Sequence, residues 1–328
     1  RDLILFYLGM ELMAITSYVL AAFFRYRAKS NESALKYFLT GTFASAVMLY
    51  GISLVYGLTG ATNYEAVGRA LSGLTTTTGV LLAVFLVAIG LAFKVSAAPF
   101  HMWTPDVYQG APTPVTAFFS VGPKAAAFSV IMSAFILAFP GAGVRWGAFF
   151  IVLSVATMVV GNVLALVQDN VKRMLAYSSI AHAGYLLAGV GAMGWSLNSY
   201  PGQGVLMYLA AYTFMNLGAF GVLTYLKAQH PHSLDYSLRS LSGLGRKSPW
   251  AAVLLTLFML SLTGIPGTAG FIGKFYVFAG VVRADLVWLA VLAVALSAVS
   301  AYYYLRVVIV MFFREAEVEY GSRAPISG

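Results

Sequence analysis

The chain contains no cysteine. Disulfides, thiolate metal sites and cysteine-ligated iron–sulfur clusters are therefore excluded within it. Charge is almost as scarce. Asp, Glu, Lys and Arg together make up 9% of the residues, where a soluble domain carries about a quarter. Acids are the rarer sign, 11 against 20 Lys plus Arg, and there are only 4 histidines. No phosphate loop, dinucleotide fingerprint, haem-ligation pattern or nucleophile motif occurs, and no secretory signal is visible.

What is present is apolar. Hydrophobic residues make up 60% of the chain. They gather in runs of about 20 residues, the length a helix needs to cross a bilayer. This predicts an all-α polytopic membrane protein. Nine runs fall at about residues 3–24, 35–56, 79–102, 115–139, 146–167, 174–193, 204–226, 250–282 and 286–313. Loops after odd-numbered runs carry Arg25, Arg27, Lys29, Lys36, Lys172, Arg173, Lys227, Arg239, Arg246, Lys247, Arg314 and Arg323. The opposite loops carry Arg1, Arg69, Arg145 and Arg283. Twelve against four is a positive-inside bias. It assigns the net charge of +9 to the cytoplasmic membrane face, so lipid and not nucleic acid is the expected partner. All five tryptophans, Trp103, Trp146, Trp195, Trp250 and Trp288, fall at predicted span ends, as an aromatic belt requires. Between the spans lie a threonine cluster at 75–78 and a polar loop with His230, His232 and Asp235. Asp106 reads as a loop or cap residue, the run Tyr302-Tyr303-Tyr304 as packing, and Glu315, Glu317 and Glu319 as an acidic tail. A start at Arg1-Asp2, with an apolar run at once, predicts that further chain precedes it.

Four charges inside the runs stand out. Glu11 is the one acid well within a span, and Lys94, Lys124 and Lys274 occupy three others. A lysine at a span centre costs roughly 2.5–3.5 kcal/mol on translocon scales, so a chain this poor in charge is expected to use it. Lys94 and Lys124 each have a proline nearby, Pro99 and Pro123, which removes a helical N–H and leaves a carbonyl to be satisfied by protein or water. Loss of hydration favours a neutral amine, and an adjacent carboxylate favours the ammonium. A Glu–Lys pair therefore gates a proton by geometry, with Lys124 and Lys274 as onward stations and His101 and His182 as relay groups. The bland alternatives are snorkelling for Lys274, structural pairing for Lys94 and a satisfied buried imidazole for His182. The eighth run is interrupted by Gly264-Ile265-Pro266-Gly267 and bears Lys274, as the third bears Pro99 and Lys94. Paired interrupted spans in two halves point to a transport site.

These motifs carry a resemblance. LGMELMAITSYVL at 8–20, FKVSAAPFHMWTPDVYQGAPTPV at 93–115, KRMLAYSSIAHAGY at 172–185 and GIPGTAGFIGKFYVF at 264–278 are closely similar to the antiporter-like subunits of respiratory complex I. Within these they look like the N-type branch. The wider superfamily includes multisubunit Na⁺/H⁺ antiporters and membrane-bound hydrogenases. The resemblance implies an antiporter-like fold of about fourteen helices, with two inverted five-helix repeats and two broken helices. The nine spans here would be its fifth to thirteenth. Residues 1–140 would close the first repeat, 141–314 would form the second, and 315–328 would be a cytoplasmic tail. It also implies a proton-transfer axis of Glu11, Lys94, Lys124 and Lys274, with His101 and His182 beside it. Lysine at the last position favours the N-type.

By the same resemblance the function would be proton translocation in the membrane arm of an NADH-quinone oxidoreductase, in a bacterial plasma (inner) membrane. Antiporter-like M- and L-type subunits and small K-, J- and A-type subunits would be its partners. No cofactor is expected in this chain; NAD, FMN, iron–sulfur clusters and quinone would belong to partner subunits. The alternatives are a Na⁺/H⁺ antiporter or hydrogenase subunit, or an assembly scaffold that transports nothing.

Overall fold

In the computed structural model, residues 1–72, 77–197, 200–231 and 233–315 are described. Thr75, Thr76, His232, Glu317, Glu319 and Arg323 lie outside them. Thirteen α-helices occur among the described residues, with no strand. They are α1 (Leu3–Ala21), α2 (Ala28–Thr59), α3 (Tyr64–Leu71), α4 (Thr78–Lys94), α5 (Trp103–Gly110), α6 (Thr113–Ala138), α7 (Gly143–Leu166), α8 (Val171–Ser196), α9 (Tyr200–Gln229), α10 (Leu244–Lys247), α11 (Pro249–Thr263), α12 (Ala269–Arg283) and α13 (Val287–Phe313). Six stretches, α1, α2, α6, α7 with its preceding turn, α9 and α13, are long and apolar enough to cross a membrane.

The other three expected spans behave differently, for two reasons. The third and eighth are interrupted. The chain leaves the helix at Lys94, ahead of Pro99, and resumes as α5. It leaves α11 at Gly264, whose φ of 89° is open to a residue without a Cβ, and resumes as α12. The sixth span, α8, is less apolar because it is enclosed by protein. Between 171 and 194 every residue except Arg173 is buried, so Ser178, Ser179 and His182 are shielded from lipid. Where the sequence placed Arg69 on a loop, residues 64–71 form the short amphipathic helix α3, capped by the Asn63 side chain.

The tightest helix pair is α7 against α8. A Cβ on Gly161 would stand 2.4 Å from the backbone N of Ala181, and one on Gly184 2.7 Å from that of Met158. Only glycine lets the two backbones approach this closely, the small-residue packing that lipid-immersed helices rely on. The tryptophan belt holds for three of five indoles. Trp195, Trp250 and Trp288 are exposed at helix ends, but Trp103 and Trp146 are buried. Each buried indole N–H donates to a helix-end carbonyl, Trp103 to Phe93 at 3.2 Å and Trp146 to Phe139 at 3.1 Å. Each carbonyl also accepts one backbone N–H just past the helix, from Ser96 at 3.0 Å and from Ala142 at 3.2 Å, and the indole adds a second donor.

Candidate functional site

The first break places Lys94 at the last residue of α4, where the helix dipole is negative. Its ammonium meets the carboxylate of Glu11 on α1 at 3.4 Å. The Lys94 side chain is 4% exposed and that of Glu11 is 22% exposed. The Ser45 hydroxyl on α2 donates to the same carboxylate. Three helices thus hold one ion pair at membrane depth. The backbone around the break is also satisfied. Ala98 N–H donates to the Thr157 hydroxyl at 2.9 Å, and Ala97 N–H to the Ala92 carbonyl at 2.9 Å.

Lys124 follows Pro123 inside α6 and is fully enclosed, with 2% of its surface exposed. It donates to the carbonyl of Ser179 at 2.8 Å and to the Ser179 hydroxyl. Tyr108 reaches that same hydroxyl from α5 at 3.3 Å. One turn along α8, His182 bonds through Nδ1 to the Tyr208 hydroxyl and through Nε2 to the Tyr304 hydroxyl at 3.0 Å. Tyr304 also bonds Ser178. A hydroxyl both donates and accepts, so each of these contacts is able to pass a proton.

Lys274 does not snorkel. From α12 it donates to the carbonyls of Leu262 at 3.0 Å and Thr263 at 2.7 Å, the open C-terminal end of α11, and to the Ser297 hydroxyl at 2.7 Å. Its ammonium lies 5.2 Å from the centre of the Tyr185 ring. The same ring packs edge-on to His182 at 5.7 Å. Tyr185 therefore stands between His182 and Lys274.

The structure gathers Glu11 with Lys94, and Lys124 with the Ser179–His182 face of α8. Among the described residues no direct hydrogen bond joins these two groups, although α4 and α6 pack together. His101 lies in the α4–α5 connection, with Nδ1 buried and without a hydrogen-bond partner, and it bonds none of the lysines.

Sequence reasoning missed three things here. Tyr303 and Tyr304 are not mere packing: both are buried, with Tyr304 on His182 and Tyr303 donating to Asn162 at 3.1 Å. Asp106 is not a simple loop residue, because it pairs with Lys36 at 2.9 Å and Arg173 at 2.6 Å. Burial alone would raise the Asp106 carboxyl, but hydrogen bonds from Lys36 and Arg173 outweigh it and hold the group below the usual carboxylate range. Lys172, which reads as a loop cation, is buried and donates to the Ala111 carbonyl at 2.7 Å. Its place just inside the cap residue Asn170 was the available signal: α8 starts there, and α8 is enclosed.

Two interrupted helices, a part-buried Glu–Lys pair and further enclosed lysines define a polytopic membrane protein of the antiporter-like class. The signature described as NADH:quinone oxidoreductase/Mrp antiporter, TM matches residues 1–300. The chain belongs to that family. It is 50% identical over 324 residues to NADH-quinone oxidoreductase subunit N of Trichlorobacter lovleyi, covering 97% of this chain and 65% of the relative. The chain thus spans just under two thirds of that curated relative. Among solved structures it is similar to a chain of respiratory complex I from Thermus thermophilus, with 40% identity, a TM-score of 0.80 and coverage of 97% of this chain and 67% of the other. It is also similar to a chain of the Mrp complex from Dietzia sp. DQ12-45-1b, with 25% identity, a TM-score of 0.85 and coverage of 99% and 58%.

Proposed function

We propose that this chain is the proton-translocating N-type subunit in the membrane arm of an NADH-quinone oxidoreductase, seated in a bacterial plasma membrane. The observation that carries the reading is the enclosed Glu11–Lys94 pair at a helix break, 3.4 Å apart. At that separation and an effective dielectric of 20, the attraction is about 5 kcal/mol. Moving Glu11 away, or protonating it, removes that attraction and frees Lys94 to give up its proton. Lys124 and the hydroxyl–imidazole chain on α8 receive protons next, and Lys274 is the far station. His101 would join from the α4–α5 connection. The two interrupted helices belong to two inverted repeats, residues 1–140 and 141–314. Redox chemistry on NAD, FMN, iron–sulfur clusters and quinone falls to partner subunits, with M-, L-, K-, J- and A-type membrane subunits as neighbours. The identity of 50% to a subunit N, against 25% to an Mrp chain, favours this reading over an antiporter.

The test uses the full-length chain in its complex, reconstituted in liposomes. Replacing Lys94 or Lys274 by Met is expected to abolish proton pumping while the complex still assembles. An assembled, fully pumping variant would overturn the proposal in favour of a scaffold. Pumping is expected to persist without sodium; a sodium requirement would instead support antiport.

A further inference from the structure

A second charged feature stands apart from the proton axis. A cavity of about 480 Å³ opens between α2, α6, α8, α9 and the segment at 234–236. Four cations line it: Arg27, Lys29, Lys172 and Lys227. They come from the loops that the Lys and Arg asymmetry assigns to the cytoplasm. Asp235 is the one acid in its wall, and that carboxylate accepts the Ser237 N–H at 2.8 Å. The Lys172 and Lys227 ammoniums converge on one ring, lying 5.1 and 5.7 Å from the centre of Tyr236. Lys172 is 2% exposed and donates to the Ala111 carbonyl, so this amine is fixed at the cavity wall and not free to swing into solvent. The N-terminal ends of α2, α6 and α8 also border the cavity, and those of α2 and α6 carry no side-chain cap. Their positive dipole ends add to the side-chain charge. These like charges repel one another; Asp235 and the carbonyls of Ala111, Pro231 and Leu234, which accept from Lys172 and Lys227, offset part of that, and an anion among them would offset the rest.

We infer that this cavity binds a phosphate-bearing anion. The shared chemistry is a phosphate group held by lysines, arginine and helix N-termini; its source is an anionic lipid headgroup or free inorganic phosphate. Basic pockets between membrane helices on the cytoplasmic side suit such headgroups, and the volume admits a phosphate with its glycerol. The inference does not depend on proton transport.

The experiment uses the full-length chain purified in its complex. Binding is followed by the thermal-unfolding midpoint with dioctanoyl phosphatidylglycerol, dioctanoyl phosphatidylcholine or inorganic phosphate. Phosphatidylglycerol is expected to raise the midpoint and phosphatidylcholine to leave it unchanged. Arg27→Gln with Lys227→Gln should weaken binding by roughly thirtyfold, from about one kcal/mol per cation, while Arg27→Lys with Lys227→Arg should retain it. If inorganic phosphate alone reproduces the shift, the site takes the free anion; if it does not, the source is the lipid. Overturning results are a midpoint that responds to none of the three, or a charge-removing variant that binds as tightly as the parent.

Discussion

A double-mutant cycle on Glu11 and Lys94 tests the physical core of the proposal. Changing Glu11 to Gln keeps the side-chain shape and an acceptor for Ser45 but deletes the negative charge. Changing Lys94 to Met removes the positive one. At 3.4 Å and a dielectric of 20 the pair is worth about 5 kcal/mol. Glu11 retains 22% of its side-chain exposure, so solvent screens part of that and a coupling of about 2–3 kcal/mol is expected. The two single changes should therefore destabilise, in sum, by about 2–3 kcal/mol more than the double change does. The assay is equilibrium unfolding of the purified full-length protein in mixed micelles, with proton pumping in liposomes beside it. The singles leave one uncompensated charge at membrane depth, whereas the double leaves none. If the two effects add to within about 0.5 kcal/mol, the pair is not energetically coupled and the gate argument fails.

Three further outcomes follow from the same structure. Tyr304→Phe keeps the ring but takes the hydroxyl from His182 and Ser178; the unpaired imidazole nitrogen should cost about 1–3 kcal/mol and slow pumping, read by unfolding and by proton-uptake kinetics. Gly161→Ala puts a Cβ 2.4 Å from a backbone nitrogen of α8; the helices must part, at about 1–3 kcal/mol, visible as a lower unfolding midpoint. The Asp106 carboxyl is depressed on folding, so its contribution is full above the unfolded value of about 3.9 and fades as pH falls below it. Asp106→Asn should flatten the loss of stability as pH falls below about 4, measured by unfolding midpoints; an unchanged slope would show that the pairs with Lys36 and Arg173 carry no stability.

The legible part of this protein was its one-dimensional part. Runs of apolar residues long enough for a bilayer, together with Gly264-Ile265-Pro266-Gly267 and the Lys94–Pro99 stretch, gave the six stretches able to cross and the places where two further runs break. They do so because the hydrocarbon thickness and the missing proline N–H act locally. Glu11, Lys94, Lys124 and Lys274 stood out for a similar reason: a charge inside an apolar run is costly wherever the helix ends up. Partnership was legible only for the Glu11–Lys94 pair. Nothing in the chain announces that Ser45 joins that pair, or that Lys274 closes the open end of α11. Nor does it show that Tyr304 reaches His182 across 122 positions, or that two of the tryptophans turn inward to helix ends. Those contacts exist because neighbouring helices enclose the groups, as they do His182 on α8, and enclosure is a property of packing, which no local pattern encodes. Sequence fixes which groups are too polar for lipid, and only the assembled helices decide which of them meet.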